Sequence, residues 1–423
     1  MESGTHGPTV ALDFLGCKLN QAEVQQLAGE LAAAGYRLVT PQDGPDIYVL
    51  NTCTVTQVAD RKSRQLLRQA RRRNPSVRLV AIGCYAGRAA TELSAIEGVE
   101  LVLGNEQKWH LPHLLDDVEM KRPPVPPPRE VLPESGRRTR AFIRVQDGCR
   151  NACAYCIVPL VRSREESVPV GEVLDRVGKL AGAGCREVVL TGTEIGTYRH
   201  GGVNLEGLLG RILAETSIGR LRLSSLQPPE VTPGLIGLWR DPRLCPHFHL
   251  SLQSGSDAVL GRMKRRYNLA EYRRVVSLIR ETVPEAAVTT DVIVGFPGET
   301  EAEFRETLEF CREMRFARIH VFPFSPRPGT AAAGMTPPVP DAVKKERSRQ
   351  ALALAEATAR DFRRGFLGRT VDVLFEQRSG GAWSGLTGNY IRAYVRSTAD
   401  LSNKLLAVKL VKLYRDGVWG EIK

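Results

Sequence analysis

The chain has 423 residues, enough for two or three cores rather than one. Its 42% hydrophobic and 25% charged content is that of an ordinary globular protein and excludes wholesale disorder, collagen-like repeats and coiled coil. The balance of 59 basic against 47 acidic residues, net +12, favours a polyanionic partner.

The opening MESGTHGPTV carries no apolar leader core, and no run of about 18 apolar residues occurs, so neither export nor membrane spanning is expected. Residues 9–15, 46–50, 78–82 and 100–103 read as short strands, with helical apolar spacing over 21–34 and 60–73 between them. That alternation predicts a parallel sheet covered by helices. Residues 121–133 (KRPPVPPPREVLP) cannot continue a helix or a central strand and read as an extended linker. Alternation then resumes, with strands expected at 141–146, 187–190, 221–225, 247–252, 288–294 and 318–324. Helices are expected near 171–183, 204–215, 231–239, 269–282 and 301–314. Six β/α units predict an open or partial barrel rather than an eightfold one. A basic, alanine-rich helix over 341–365 closes this section. The last 58 residues, 366–423, switch to period-two alternation broken by turn signals, which predicts a small all-β barrel.

Nine cysteines, an odd number, make a poor disulfide framework. Cys149, Cys153 and Cys156 form C-x3-C-x2-C just after a predicted strand, and three thiolates this close converge naturally on a soft metal centre. A closed zinc site would need a distant fourth ligand. Cys17, Cys53 and Cys84 share no local motif, but each follows a predicted strand directly. Carboxyl ends of parallel strands share one edge, where ligands bind. Convergence on a second centre and three separate buried thiols are both readings of these positions. Cys185, Cys245 and Cys311 read as packing residues.

The C-x3-C-x2-C run within six β/α units resembles the radical S-adenosylmethionine superfamily. The scattered amino-terminal cysteines and the small terminal β unit narrow the resemblance to its methylthiotransferases. Residues 191–196 (TGTEIG), 250–257 (LSLQSGSD), 291–299 (DVIVGFPGE) and 325–330 (SPRPGT) match as well. The resemblance implies an α/β chain with a methylthiotransferase domain over 8–120, a linker over 121–134, a partial (β/α)6 radical core over 135–365 and a TRAM barrel over 366–423. It implies two [4Fe-4S] clusters and S-adenosylmethionine. Cys149, Cys153 and Cys156 would hold the cluster that cleaves the cofactor to a deoxyadenosyl radical. Cys17, Cys53 and Cys84 would hold the one that delivers the methylthio group. Tyr155, Thr191, Gly192, Glu194, Gln253 and Ser254 are then expected around S-adenosylmethionine, with Glu194 accepting from its ammonium. Residues 16–23 (GCKLNQAE) and 263–267 (MKRRY) resemble the branch that methylthiolates C2 of threonylcarbamoyladenosine beside the tRNA anticodon. The implied setting is cytoplasmic, with tRNA and an electron donor as partners and no membrane or DNA.

Seven basic residues and no acid fill 61–73, and Arg61, Arg64, Arg68 and Arg71 recur at helical spacing, which reads either as a solvated basic face or, given its place just after Cys53, as an RNA-binding one. Tyr390, Tyr394 and Trp419 lie among basic residues of the terminal unit, suited to base stacking or to filling its core. Arg327, between two prolines, is expected to reach a phosphate or carboxylate or to hold a turn. Another tRNA adenosine or a ribosomal-protein aspartate as substrate, or a non-catalytic iron–sulfur or zinc RNA-binding protein, are the alternatives. The net charge and GCKLNQAE argue against the ribosomal protein, and the last predicts about one type of metal site and no cofactor cleavage.

Overall fold

The computed structural model describes residues 8–118 and 139–423, and the proline-rich stretch 121–134 lies outside them. The amino-terminal unit is a five-stranded parallel sheet in the order Arg37–Leu38, Thr9–Phe14, Ile47–Thr52, Arg78–Gly83, Val99–Leu103. Every residue of Ile47–Thr52 is buried, as a strand covered on both faces requires. Its pleat sends Ile47 and Val49 to Val10, Leu27 and Leu31 on one side. Tyr48 and Leu50 go to Leu67 and Tyr85 on the other. The chain winds from the first strand to the Arg37–Leu38 edge, then crosses back to Ile47–Thr52. That reversal opens a crevice at the carboxyl ends of Thr9–Phe14 and Ile47–Thr52, from which Cys17 and Cys53 emerge. The edge strand has two residues, too few for a periodic signal.

Six parallel strands follow: Arg140–Arg144, Glu187–Thr191, Arg220–Leu223 continuing as Ser225–Leu226, His247–Leu250, Ala287–Val294 and Arg318–Pro323. Their hydrogen bonding divides at Ser224 into a three-stranded and a four-stranded sheet, so the barrel is partial, as expected. Both open edges are covered. Helix Lys18–Ala33 of the first unit packs on Arg140–Arg144, where the Phe142 N–H donates to Gln25 Oε1 at 2.9 Å. Helix Asp341–Arg364 lies along Arg318–Pro323. Outward residues such as Val188, Leu190, Phe248, Leu250 and Val292 build the main core against Val173, Leu209, Val276 and Phe304 of the covering helices.

The inward residues are polar. Glu187, Arg220, Arg222, His247, His249 and Thr289 are all buried, and Asp291 and His320 are half-buried. Glu187 accepts from Arg222 Nε at 2.7 Å and pairs with Arg220 at 3.4 Å. The lumen is thus lined with charge, where closed barrels usually carry layers of branched apolar side chains.

Residues Thr370–Ser379, Ala382–Thr387, Arg392–Val395, Leu405–Tyr414 and Gly417–Ile422 form a closed five-stranded barrel around Val373, Phe375, Trp383, Val408 and Val418. A Cβ on Gly417 would meet the Arg392 carbonyl oxygen at 2.1 Å, so only glycine lets these strands close. The barrel docks on the polar lumen through its Leu386–Tyr390 turn. Arg222 Nη1 donates to the Gly388 carbonyl at 2.7 Å, and Arg140 Nη1 donates to Tyr390 Oη at 3.0 Å. Tyr390, at φ 66°, puts its ring 4.1 Å from the Arg222 guanidinium and 4.6 Å from the His247 ring. It is a plug for the lumen and not a surface stacking residue.

Candidate functional site

The C-x3-C-x2-C loop starts where Arg140–Arg144 ends. Gly148, at φ 75°, makes the turn, and a Cβ there would fall 2.0 Å from the Arg164 carbonyl oxygen. Cys149 is buried and Cys153 and Cys156 are half-buried. Burial, then Glu194, pushes the Cys149 thiol well up, and burial pushes Cys156 up to about 11. Cys149 Sγ donates to Glu194 Oε2 at 3.0 Å, while Arg265 Nη1 donates to Cys153 Sγ at 3.2 Å.

Glu194 is the hub of the side chains around this loop. Its carboxylate accepts from Asn151 Nδ2 at 2.6 Å, from Arg266 Nη2 at 2.9 Å and from Gln227 Nε2. Arg265 also donates to Gln227 Oε1 at 2.9 Å. Glu230 stands beside them, held by the Gln227 N–H at 2.8 Å. Burial, with the nearby Glu194 charge, pushes its carboxyl up to about 8. Gly196 leaves room for the Glu230 carboxyl, and Gly192 lets the chain pass the Gln146 carbonyl, which a Cβ would meet at 2.7 Å. Asn151, Gln227, Glu230, Arg265 and Arg266 were not singled out from the sequence, although the two arginines lie in the MKRRY run and Gln227 follows the third barrel strand.

The remaining expected cofactor residues divide. Tyr155 packs on the cluster of Ala154, Met263, Phe296 and Ala332, its hydroxyl 3.4 Å from Arg265 Nη1. Thr191 contributes a carbonyl to the Val145 N–H at 2.9 Å. Gln253, at φ 70°, is pinned by its backbone to Asp291 and Ile293, both at 2.8 Å, and its side chain makes no hydrogen bond among the described residues. Ser254 is not brought to the pocket: it is fully buried and its hydroxyl pairs with Thr307 Oγ1 at 3.2 Å.

The second triad forms at the crevice of the amino-terminal sheet. A Cβ on Gly16 would lie 2.6 Å from Cys53 Sγ, so glycine beside Cys17 is what admits the second sulfur. Cys17 is open at its own surface. It nevertheless sits in a recess whose walls desolvate it and raise its pKa against the pull of Arg162. Burial pushes Cys53 up to about 12, and both Cys17 and Cys84 add to that shift, as neighbouring thiols do. Cys84 Sγ accepts from Arg162 Nε at 3.2 Å and from Asn105 Nδ2 at 3.4 Å.

Arg162 joins the two triads. Besides Cys84, its guanidinium pairs with Glu23 at 2.7 Å and with Asp147 at 2.7 Å, two residues before Cys149. Glu23 also takes Lys108 Nζ at 2.5 Å, and both groups are fully buried. Buried charges need this many partners to be tolerated.

The donor sets fit clusters better than single ions. A tetrahedral metal with bonds of about 2.3 Å draws its sulfurs to within about 4 Å of one another. Among the described residues only His249, Asp291 and His320 bring three ligand atoms within 4.8 Å. Three thiols spread wider suit one face of an iron–sulfur cluster.

Helix Gln57–Arg73 follows Cys53, with Ser63 and Leu67 buried. Arg64 and Arg71 flank that buried stripe and turn to neighbouring acids, Glu92 at 2.6 Å and Glu97 at 3.3 Å. The exposed face carries Arg61, Arg68 and Arg72, so the expected basic stripe is corrected at two of its four positions. Arg327 is buried on Asp60 and Thr54, tying its loop to the first unit as a structural turn. On the terminal barrel, Tyr394, Tyr414 and Trp419 form a half-buried edge-to-face row, with Arg415 5.1 Å from the Tyr414 ring and Arg396 6.0 Å from Trp419.

Comparison with known proteins agrees with this arrangement. The family model described as "Radical SAM superfamily" matches residues 143–311, and "Uncharacterized protein family UPF0004" matches residues 9–104. "Threonylcarbamoyladenosine tRNA methylthiotransferase MtaB" of Bacillus subtilis (strain 168) is 35% identical, over 96% of this chain and 94% of its own. The protein of that name from Aquifex aeolicus (strain VF5) is 39% identical, over 84% of this chain and 89% of its own. Among solved structures, the radical S-adenosylmethionine methyltransferase TsrM from Kitasatospora setae shares the fold, at TM-score 0.56 and 15% identity over 77% of this chain and 74% of that one. S-adenosylmethionine and [4Fe-4S] clusters are the cofactors of such enzymes. The chain belongs to the radical S-adenosylmethionine methylthiotransferases.

Proposed function

We propose that this protein adds a methylthio group to C2 of N6-threonylcarbamoyladenosine beside the anticodon of tRNA. The observation that carries the reading is a pair of three-thiol centres at the strand ends of two different parallel sheets, joined through Arg162. The names of the relatives supply the substrate. In this reading, residues 8–120 present Cys17, Cys53 and Cys84 to one cluster and residues 135–365 present Cys149, Cys153 and Cys156 to the other. Residues 366–423 and the Arg61, Arg68, Arg72 face hold the RNA.

When bound, the clusters and S-adenosylmethionine supply the radical and the methylthio group, with the electron coming from a reducing partner. The chain's own residues bind, orient and shield. Glu194, backed by Asn151, Gln227 and Arg266, presents a fixed carboxylate suited to an ammonium. Arg265 orients the Cys153 sulfur by donating to it. Tyr390 seals the lumen against water from the barrel side. The cytoplasm, where tRNA and reductant meet, is the proposed location; no helix among the described residues is long and apolar enough to cross a membrane.

Mass spectrometry of tRNA nucleosides from cells with and without this protein tests the reading. The methylthio nucleoside is expected to vanish and threonylcarbamoyladenosine to accumulate when the protein is removed; persistence of the methylthio form contradicts it. Anaerobic reconstitution is expected to load about eight irons per chain.

A further inference from the structure

The lumen of the partial barrel holds a group that no packing need explains. Lys18 follows Cys17 and opens helix Lys18–Ala33, yet its side chain leaves the amino-terminal unit and enters the barrel. Its Nζ lies 5.7 Å from the Tyr390 ring and makes no hydrogen bond or ion pair with any described residue. The groups that surround it are Asp291, Arg222 and Arg140. His247 and His320 face it as well. Beside it, His249 Nε2 meets Asp291 Oδ2 at 3.1 Å and His249 Nδ1 meets Thr289 Oγ1 at 3.0 Å. His320 stands 5.9 Å from the His249 ring, and its side chain makes no hydrogen bond among the described residues. The Nδ1 of buried His247 is likewise unpartnered.

His249, Asp291 and His320 are close enough to share a cation. However, Lys18 and Arg222 set a positive field over the same pocket. An unpaired ammonium next to unsatisfied imidazoles and one carboxylate suits an anionic ligand that also carries hydroxyl and N–H groups.

We infer that this lumen pocket is the recognition site for the N6 substituent of the substrate base, with Lys18 gripping its carboxylate and His249, Asp291 and His320 meeting its hydroxyl and ureido groups. The inference rests on the substrate reading above and deepens it. C2 and C6 flank N1 of the adenine ring and C6 carries N6, so a base offering C2 to the Cys17 side carries its N6 substituent only a few ångströms away. The residue after Cys17 is placed to reach it. A threonylcarbamoyl group ends in a carboxylate and a hydroxyl, and an apolar N6 substituent would leave the Lys18 ammonium without an anionic partner from the substrate.

The test uses the reconstituted enzyme and an anticodon stem–loop RNA bearing either threonylcarbamoyladenosine or its methyl ester, which removes the charge alone. Wild-type enzyme is expected to bind the acid at least about tenfold tighter than the ester. Lys18→Met is expected to bind the two equally, with its ester affinity and its iron content as in wild type. Lys18→Arg is expected to keep the preference for the acid. A preserved acid preference in Lys18→Met overturns the role of Lys18, and no preference in wild type overturns the pocket. Nucleoside analysis of the wild-type product separates these from failure of the substrate reading: a methylthio group on a different nucleoside sinks the reading itself.

Discussion

Glu23 shows how much rests on single side chains that carry no motif. Burial alone would raise its carboxyl, but Arg162 and Lys108 outweigh that and hold it below the ordinary carboxylate range. A depressed folded-state pKa contributes stability that is fully present above the unfolded value, near 4.5, and is lost as the pH falls through and below it. Glu23→Gln leaves two buried cations short of a partner and should cost about 3–5 kcal/mol. Thermal melting of the cluster-free chain is the check: the variant melts lower at pH 7, and the gap to wild type narrows toward pH 4. At this scale the cysteines were legible and their supports were not. Cys149, Cys153 and Cys156 declare themselves by local spacing, and Cys17, Cys53 and Cys84 by following strands. Arg162, Lys108 and Glu23 meet only after two units dock, so no spacing along the chain announces them. Ser254 misled for a related reason, since its partner Thr307 lies on a distant helix.

Helices and strands were read closely because their signals are periodic. The six strands of the partial barrel and its covering helices fall within a few residues of the expected bounds. What periodicity conceals is the partner of each face. Helix Gln57–Arg73 is amphipathic in the sequence, yet only the positions of Glu92 and Glu97 decide that Arg64 and Arg71 are paired with surface acids. Arg61, Arg68 and Arg72 are exposed. Replacing these three with glutamine should weaken tRNA binding and lower the slope of log affinity against log salt by about 2–3. Replacing Arg64 and Arg71 should leave that slope unchanged. Filter binding across a salt series distinguishes the two sets. The barrel strands hold a second concealed feature, since alternation marks one face as polar without revealing that it encloses a charged lumen.

Over the whole molecule, three units share two polar seams, and the chemistry is placed where they meet. The first seam runs from Glu23 through Arg162 to Asp147 and sets one triad against the other. The second runs from Glu187 through Arg222 to Tyr390 and closes the lumen. Tyr390→Ala removes a ring contact to three cations and the hydroxyl that takes Arg140, and should lower stability by about 2–3 kcal/mol, read as a fall in melting temperature. The net charge of +12 acquires a location at this scale: the 61–73 run and residues 366–423 carry most of it, and the body between is nearly neutral. Two triads with separate tasks are the centre of the mechanism. The most direct measurement follows 5′-deoxyadenosine and methylthiolated nucleoside together, in wild type, Cys153→Ala and Cys53→Ala, with reductant, S-adenosylmethionine and threonylcarbamoylated tRNA. Wild type should form both products, Cys153→Ala neither, and Cys53→Ala deoxyadenosine without methylthio product; methylthio product from Cys53→Ala, or loss of deoxyadenosine there as well, would contradict the division.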